Sequence, residues 1–139
     1  MTAGAYDQTD SPGMAVRREV LGTGYVDRAT ANTDPLTVEF QDFVTEHCWG
    51  EIWTDDRLSR KEHSLVTLAI TAALGRMDEF EAHAAGALRN GITPEQFPAI
   101  AKQIAVYAGV PAGVNASKAM RRVLESRQEA GEAVEADAG

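Results

Sequence analysis

The chain has 139 residues, a length typical of one domain built around a single core. Its formal net charge of −8 disfavours binding to nucleic acid or to an anionic membrane, but not to a small anion, which responds to local charge. A lone cysteine, Cys48, cannot form an internal disulfide, and the polar N-terminus lacks a signal peptide's apolar region. We therefore expect a cytoplasmic protein without membrane contact.

Helical signals follow one another along the chain, and no strand pattern of any length interrupts them. Apolar periodicity and capping residues predict helices at 15–21, 25–31, from Asp34-Pro35 to His47, 60–74, 77–90, 97–108 and 111–124. The sequence therefore predicts an all-α fold of about six or seven helices.

The regions between and around these helices complete the predicted organisation. Residues 1–12 are small and polar and predict a disordered arm, and residues 48–58 predict a turn. Residues 125–139 contain five carboxylates and one arginine, which predicts an acidic tail into which the last helix frays. The folded domain is predicted to occupy residues 13–124.

The central helix, 60–74, begins at a Ser59-x-x-Glu62 capping box and is apolar almost all round. Such a helix is too apolar for one small domain, so we expect it to pack against other subunits. Two polar stripes interrupt the apolar surface of this helix and the next one. They consist of Arg60, Ser64, Thr67 and Thr71, and of Arg76, Glu79, His83 and Asn90. Together these stripes predict a small, polar-lined pocket.

His83 is the first candidate for chemistry, although a lone helical histidine is also compatible with a structural role. Glu79 lies one turn before it, so the pair could hold a charged imidazole or form an ordinary surface ion pair. Glu51 stands between Trp49 and Trp53, where aromatic surroundings would raise the pKa of a carboxyl group and allow it to donate a proton. The alternative is a capping acid between two core tryptophans.

Further candidates are less specific. Tyr107 could take part in catalysis or belong to the core, and one or two of the arginines near the central helices could bind a dianion. His47, Cys48 and Glu51 have short spacings, but no His-x-x-x-His or Cys-x-x-Cys pattern accompanies them, so we expect no metal site.

Several separated motifs between residues 13 and 124 resemble those of the 4-carboxymuconolactone decarboxylases, which belong to the AhpD-like superfamily. The motifs are Gly13-Met14-Ala15-Val16-Arg17-Arg18-Glu19-Val20-Leu21-Gly22, Trp49-Gly50-Glu51-Ile52-Trp53, Leu58-Ser59-Arg60-Lys61-Glu62-His63-Ser64-Leu65, Glu81-Ala82-His83, Ala87-Leu88-Arg89-Asn90-Gly91 and Ala105-Val106-Tyr107-Ala108-Gly109-Val110-Pro111-Ala112. The resemblance implies an AhpD-like helical fold assembled as a homotrimer or homohexamer. It departs from the superfamily's peroxidases, because Arg76 and Glu79 stand where these carry Cys-x-x-Cys.

The resemblance also implies an activity, the decarboxylation of 4-carboxymuconolactone in the β-ketoadipate pathway of protocatechuate breakdown. This substrate is a dianionic lactone whose conjugated carbonyl accepts the electrons left by carbon dioxide, so no cofactor is expected. On this reading His83 delivers a proton or stabilises the enolate oxygen, with Glu51 as the alternative acid and Tyr107 as the next candidate.

Substrate binding is assigned on the same reading. Arg60 or Arg89 would hold the carboxymethyl arm, Trp49 and Trp53 would surround the departing carboxylate, and Ser64 would line the pocket. Two other functions stay open, namely a decarboxylase or cyclase acting on another unsaturated lactone or quinone, and a non-enzymatic helical assembly protein.

Overall fold

The computed structural model describes the backbone of residues 11–138 and the side chains of residues 11–131. Within these residues the structure is entirely helical, which confirms the predicted fold class. The elements are α1 (Pro12–Leu21), α2 (Thr23–Thr30), α3 (Val38–Phe43), a π-helix (Val44–Ile52), α4 (Arg60–Leu74), α5 (Met77–Arg89), a 3₁₀ turn (Pro94–Gln96), α6 (Phe97–Ala108) and α7 (Val110–Ala138). Most of the predicted disordered arm lies outside the described residues, but Ser11 caps α1 by accepting a hydrogen bond from Met14 N.

The central helices begin and end where their capping signals predict. At the start of α4, Ser59 Oγ accepts a hydrogen bond from Glu62 N, and Ser59 N donates one to Glu62 Oε1 at 2.9 Å. At the end of α5, Gly91 adopts a φ of 103°, a conformation that residues with a side chain rarely take. Local sequence therefore determines these boundaries.

The prediction of a turn at 48–58 is wrong for residues 48–52, because the π-helix continues to Ile52. Its last hydrogen bond joins Trp53 N to Cys48 O at 3.0 Å. Packing explains the difference. A Cβ on Gly13 of α1 would lie 3.0 Å from Gly50 N and closer still to Thr45 O, so two backbones are in direct contact here.

The helix predicted from Asp34-Pro35 begins later than expected, at Val38. Asp34 Oδ1 accepts hydrogen bonds from the amides of Leu36 and Thr37, both at 2.9 Å, and these hold a capped turn ahead of the helix. The apolar side chains of this amphipathic helix, including Leu36 and Phe40, are exposed within the chain.

The chain divides into two compact units, Met1–His63 and Ser64–Gly139. The first unit buries apolar side chains of α1, α2 and the π-helix, among them Met14, Val20, Val26 and Trp49. Arg17 is also buried there, and its guanidinium donates a hydrogen bond to Gln41 Oε1 at 2.9 Å.

The second unit has a continuous core formed by one side of each of its helices. The fully buried members are Leu68, Phe80, Ala84, Ala87, Ala116 and Ala119. Helices α6 and α7 approach closely at Gly113, where an added Cβ would lie 2.6 Å from Ala105 Cβ. Small side chains thus allow the two helices to pack in contact.

Helix α7 is longer than predicted, because it continues through the acidic segment to Ala138 instead of fraying after Leu124. Helix α4 keeps much of its apolar surface exposed within the chain, with Val66 49%, Ile70 52% and Leu74 66% exposed. None of the described helices is long and apolar enough to cross a membrane.

Candidate functional site

Helix α5 carries His83 on the half-buried part of its surface. Burial lowers the pKa of the imidazole to about 4, and the nearby Glu79 carboxylate raises it only partly towards its ordinary value. The imidazole is therefore neutral at pH 7. The lowered pKa favours the neutral imidazole over the charged one that the first interpretation requires. A neutral ring can donate one N–H to an oxyanion.

The two polar stripes meet at Ser64 and Asn90. Ser64 is fully buried, and Asn90 Nδ2 donates a hydrogen bond to its Oγ at 2.9 Å. Farther along α4, Thr71 Oγ1 donates to the carbonyl oxygen of Thr67 at 2.7 Å, so its hydroxyl is used within the helix. The two stripes are thus in contact at the end of α5 that carries Asn90.

Three rings lie in a row in the first unit, with Trp49 stacked on Trp53 and His63 tilted against Trp53. The ring centroids of Trp49 and Trp53 are 5.1 Å apart, and those of Trp53 and His63 are 5.3 Å apart. His63 Nε2 donates to the carbonyl oxygen of Asp55 at 2.9 Å, because a carbonyl can only accept. Sequence reasoning gave His63 no role, and its contact with the tryptophans depends on a fold that spacing alone does not reveal.

Glu51 is not enclosed by the tryptophans, contrary to the prediction. Both indoles are buried, whereas the Glu51 side chain is 69% exposed and lies 3.1 Å from His47 Nδ1 through its Oε2. Residues two apart on a helix lie on roughly opposite sides, so residues 49 and 53 face one side and residues 47 and 51 the other. Among the residues that the structure describes, the aromatic surroundings expected for a proton-donating carboxyl group are therefore not found around Glu51.

The candidate arginines differ in their surroundings. Arg60 is half-buried and contacts Glu19 Oε2 at 3.2 Å through Nη2. Arg57 is exposed and forms a salt bridge to Asp55 at 2.6 Å, which helps lower the pKa of that carboxyl group to about 2. Arg89 is exposed in the last turn of α5. Arg60 and Arg89 are thus both accessible to an anion.

Tyr107 does not belong to the core, since its side chain is 85% exposed on α6. Of the candidate residues, Ser64, His83, Arg89 and Tyr107 lie in the second unit, and Trp49, Glu51, Trp53 and Arg60 lie in the first. Over the part of the chain with described side chains, no three His, Cys, Asp or Glu residues cluster as metal ligands would.

All of these candidates fall inside residues 39–122, which match the model of the carboxymuconolactone decarboxylase family. The chain belongs to this family. A 4-carboxymuconolactone decarboxylase from Acinetobacter baylyi is 38% identical over 106 residues, covering 76% of this chain and 79% of that protein. The predicted family is therefore confirmed.

Two further proteins are similar to this chain. Nitrosuccinic acid decarboxylase npaB from Metarhizium robertsii is 33% identical over 120 residues, covering 86% of this chain and 84% of that protein. A 4-carboxymuconolactone decarboxylase from Pseudomonas putida is 44% identical over 39 residues, which are 28% of this chain and 81% of that sequence.

Proposed function

We propose that this protein decarboxylates 4-carboxymuconolactone to the enol-lactone of 3-oxoadipate, a step of protocatechuate degradation by the β-ketoadipate pathway. The observation that carries the proposal is the 38% identity to a protein named for this activity over three quarters of the chain. The family match to residues 39–122 supports assigning the activity to the domain at 13–124.

The reaction needs a place for one electron pair and a source of one proton. When the carbon–carbon bond to the carboxylate breaks, the pair moves through the ring double bond to the lactone carbonyl and forms a dienolate. One proton added to the carbon alpha to that carbonyl then gives the enol-lactone and carbon dioxide. The protein must stabilise the enolate oxygen and control where the proton is added.

His83 is the residue that we place at the reacting atoms. As a neutral imidazole it can donate an N–H hydrogen bond to the enolate oxygen, and its lowered pKa supports this role at neutral pH. Binding of a dianion nearby would favour the charged ring and raise that pKa, which would also allow His83 to deliver the proton.

The remaining site residues are assigned by role. Arg60 or Arg89 binds the carboxymethyl arm, and Ser64 is assigned to the pocket wall. Trp49 and Trp53 provide apolar surroundings for the departing carboxylate. Glu51 is the alternative proton donor, and Tyr107 is the next candidate.

Assembly and location belong to the same proposal. The exposed apolar surface of α4, which includes Val66, Ile70 and Leu74, supports a homotrimer or homohexamer in which this surface is covered. We place the protein in the cytoplasm, with a small dianionic lactone as its partner and no nucleic acid or membrane.

A second candidate substrate class follows from the relative named nitrosuccinic acid decarboxylase, which this chain matches over 86% of its length. A nitro group on the carbon that bears the carboxylate accepts the electron pair as a nitronate, just as the lactone carbonyl accepts it as a dienolate. Both classes are dianions with an oxygen-centred electron sink, so a donor such as His83 would suit either one.

The test compares the two classes on the purified protein. Carbon dioxide release is measured with 4-carboxymuconolactone, with nitrosuccinate and with an unsaturated lactone that lacks the second carboxylate. We expect the highest kcat/KM with 4-carboxymuconolactone. A higher value with nitrosuccinate would transfer the proposal to the second class, and no release from any of them would favour a non-enzymatic assembly protein.

A further inference from the structure

A basic groove runs between α6 and α7 in the second unit. It has a volume of about 490 Å³, and its three charged lining residues, Lys102, Lys118 and Arg121, are all cations. Its apolar wall includes Val110 and Val114, whose side chains are 67% and 45% exposed. The groove therefore suits an occupant that is both acidic and partly apolar.

Helix α7 extends beyond the core of its own unit. Its last side chain packed against that core is Leu124, and residues 125–131 are exposed. The helical backbone nevertheless continues to Ala138, so the part after Leu124 extends for about 21 Å at 1.5 Å per residue. The described side chains of this extension are exposed, so they are accessible to a partner.

The charges of α7 change sign along one face. Lys118, Arg121, Glu125 and Glu129 follow at i, i+3, i+7 and i+11, the spacing of one stripe on a helix. The basic half of the stripe borders the groove, and the acidic half begins where the core ends. If a second copy of α7 lay antiparallel to the first, the acidic half of each stripe would face the basic half of the other.

We propose that two copies of this chain associate through α7 in antiparallel orientation, with the acidic extension of each copy lying in the α6–α7 groove of the other. A two-fold axis makes the interface self-complementary, because every Lys or Arg contact with a Glu then occurs twice. The surface differs from the apolar face of α4, and it does not depend on the proposed reaction.

The experiment measures self-association of the full chain by sedimentation velocity at low and high salt. The variants are Lys118→Glu with Arg121→Glu, and Glu125→Lys with Glu129→Lys, each checked for helix content by circular dichroism. We expect either double variant alone to associate at least about tenfold more weakly than the wild type, because like charges then face each other. Mixing the two variants should restore the complex, since their charges are again opposite.

The control is Arg127→Glu, which lies about half a turn away from Lys118 around α7 and should leave association unchanged. Association through apolar α4 should persist in high salt, whereas the α7 contact should weaken. The proposal is overturned if the double variants associate as the wild type does, or if mixing them restores nothing. The outcome of this experiment is independent of the proposed reaction.

Discussion

Burial of the His83 imidazole makes the stability of the protein depend on pH. The folded-state pKa is about 4, against 6.5 for an unperturbed histidine, so between these values the unfolded chain binds a proton that the folded chain does not. The stabilisation is complete above pH 6.5 and is lost as the pH falls towards 4. Between pH 7 and pH 4 we expect the free energy of unfolding to fall by about 2 to 3 kcal/mol more in the wild type than in His83→Gln.

The measurement is urea unfolding of the wild type and the variant between pH 4 and pH 7. Carboxylates with lowered pKa values, such as Asp55, contribute equally to both proteins, so the difference between the two curves reports His83. Parallel curves would mean that the folded-state pKa of His83 is close to its ordinary value.

Substitution at His83 and Glu51 separates the two possible proton donors. His83→Ala should lower kcat by about 100-fold or more with a much smaller effect on KM, because the lost interaction belongs to the transition state. Glu51→Gln should be milder, since this carboxylate is exposed beside His47.

The opposite order of severity would identify Glu51 as the acid. If neither variant changes kcat by more than about threefold, both assignments are wrong and Tyr107 becomes the residue to test. Circular dichroism of each variant, compared with the wild type, shows that a lost rate does not come from a lost fold.

At the scale of the elements, the contact between α1 and the π-helix depends on Gly13. An added Cβ would be forced against the carbonyl oxygen of Thr45, so Gly13→Ala should lower the free energy of unfolding by about 2 kcal/mol or more. Gly131→Ala is the matched control, because nothing lies within 4 Å of its position in α7.

Thermal unfolding followed by circular dichroism measures both glycine variants. Gly131→Ala should be neutral or stabilising by up to about 1 kcal/mol, as alanine favours the helix. Equal stability of Gly13→Ala and the wild type would contradict the close backbone packing in the first unit.

Elements with strong local signals were predictable, and those determined by packing were not. The capping box of α4 and the glycine at the end of α5 gave their boundaries correctly. The π-helix was missed because its residues resemble a turn locally, and the hydrogen bond from Trp53 N to Cys48 O shows it only in the structure. The end of α7 was predicted too early, at Leu124, because apolar periodicity shows where the core ends and not where the helix ends.

At the scale of the whole molecule, the exposed face of α4 predicts self-association. Ile70→Glu would place a charge in the covered surface, so we expect a smaller mass by sedimentation at micromolar concentration. Ala29→Glu adds the same charge to an exposed position on α2 and should change nothing. A wild type that is a stable monomer would contradict the proposed oligomer.

The roles given to the candidate site residues stay predictions, whereas the structure shows the surroundings of some of them. The polar stripes include Ser64 and Asn90, and the hydrogen bond from Asn90 Nδ2 to Ser64 Oγ joins the stripes at that point. The pocket predicted from the stripes stays a prediction. The surroundings predicted for Glu51 were wrong, because the prediction placed this residue in a turn and the structure places it in a helix. The lowered pKa of His83 depends on burial, which spacing does not measure.

The most direct test of the central claim is turnover of 4-carboxymuconolactone by protein treated exhaustively with a chelator and with Cys48 alkylated. Burial raises the pKa of the Cys48 thiol, and the proposed electron sink lies in the substrate, so activity should be unaffected by either treatment. We expect one carbon dioxide and one enol-lactone for each substrate consumed. Loss of turnover that a divalent ion restores, or substrate loss without carbon dioxide, would contradict it.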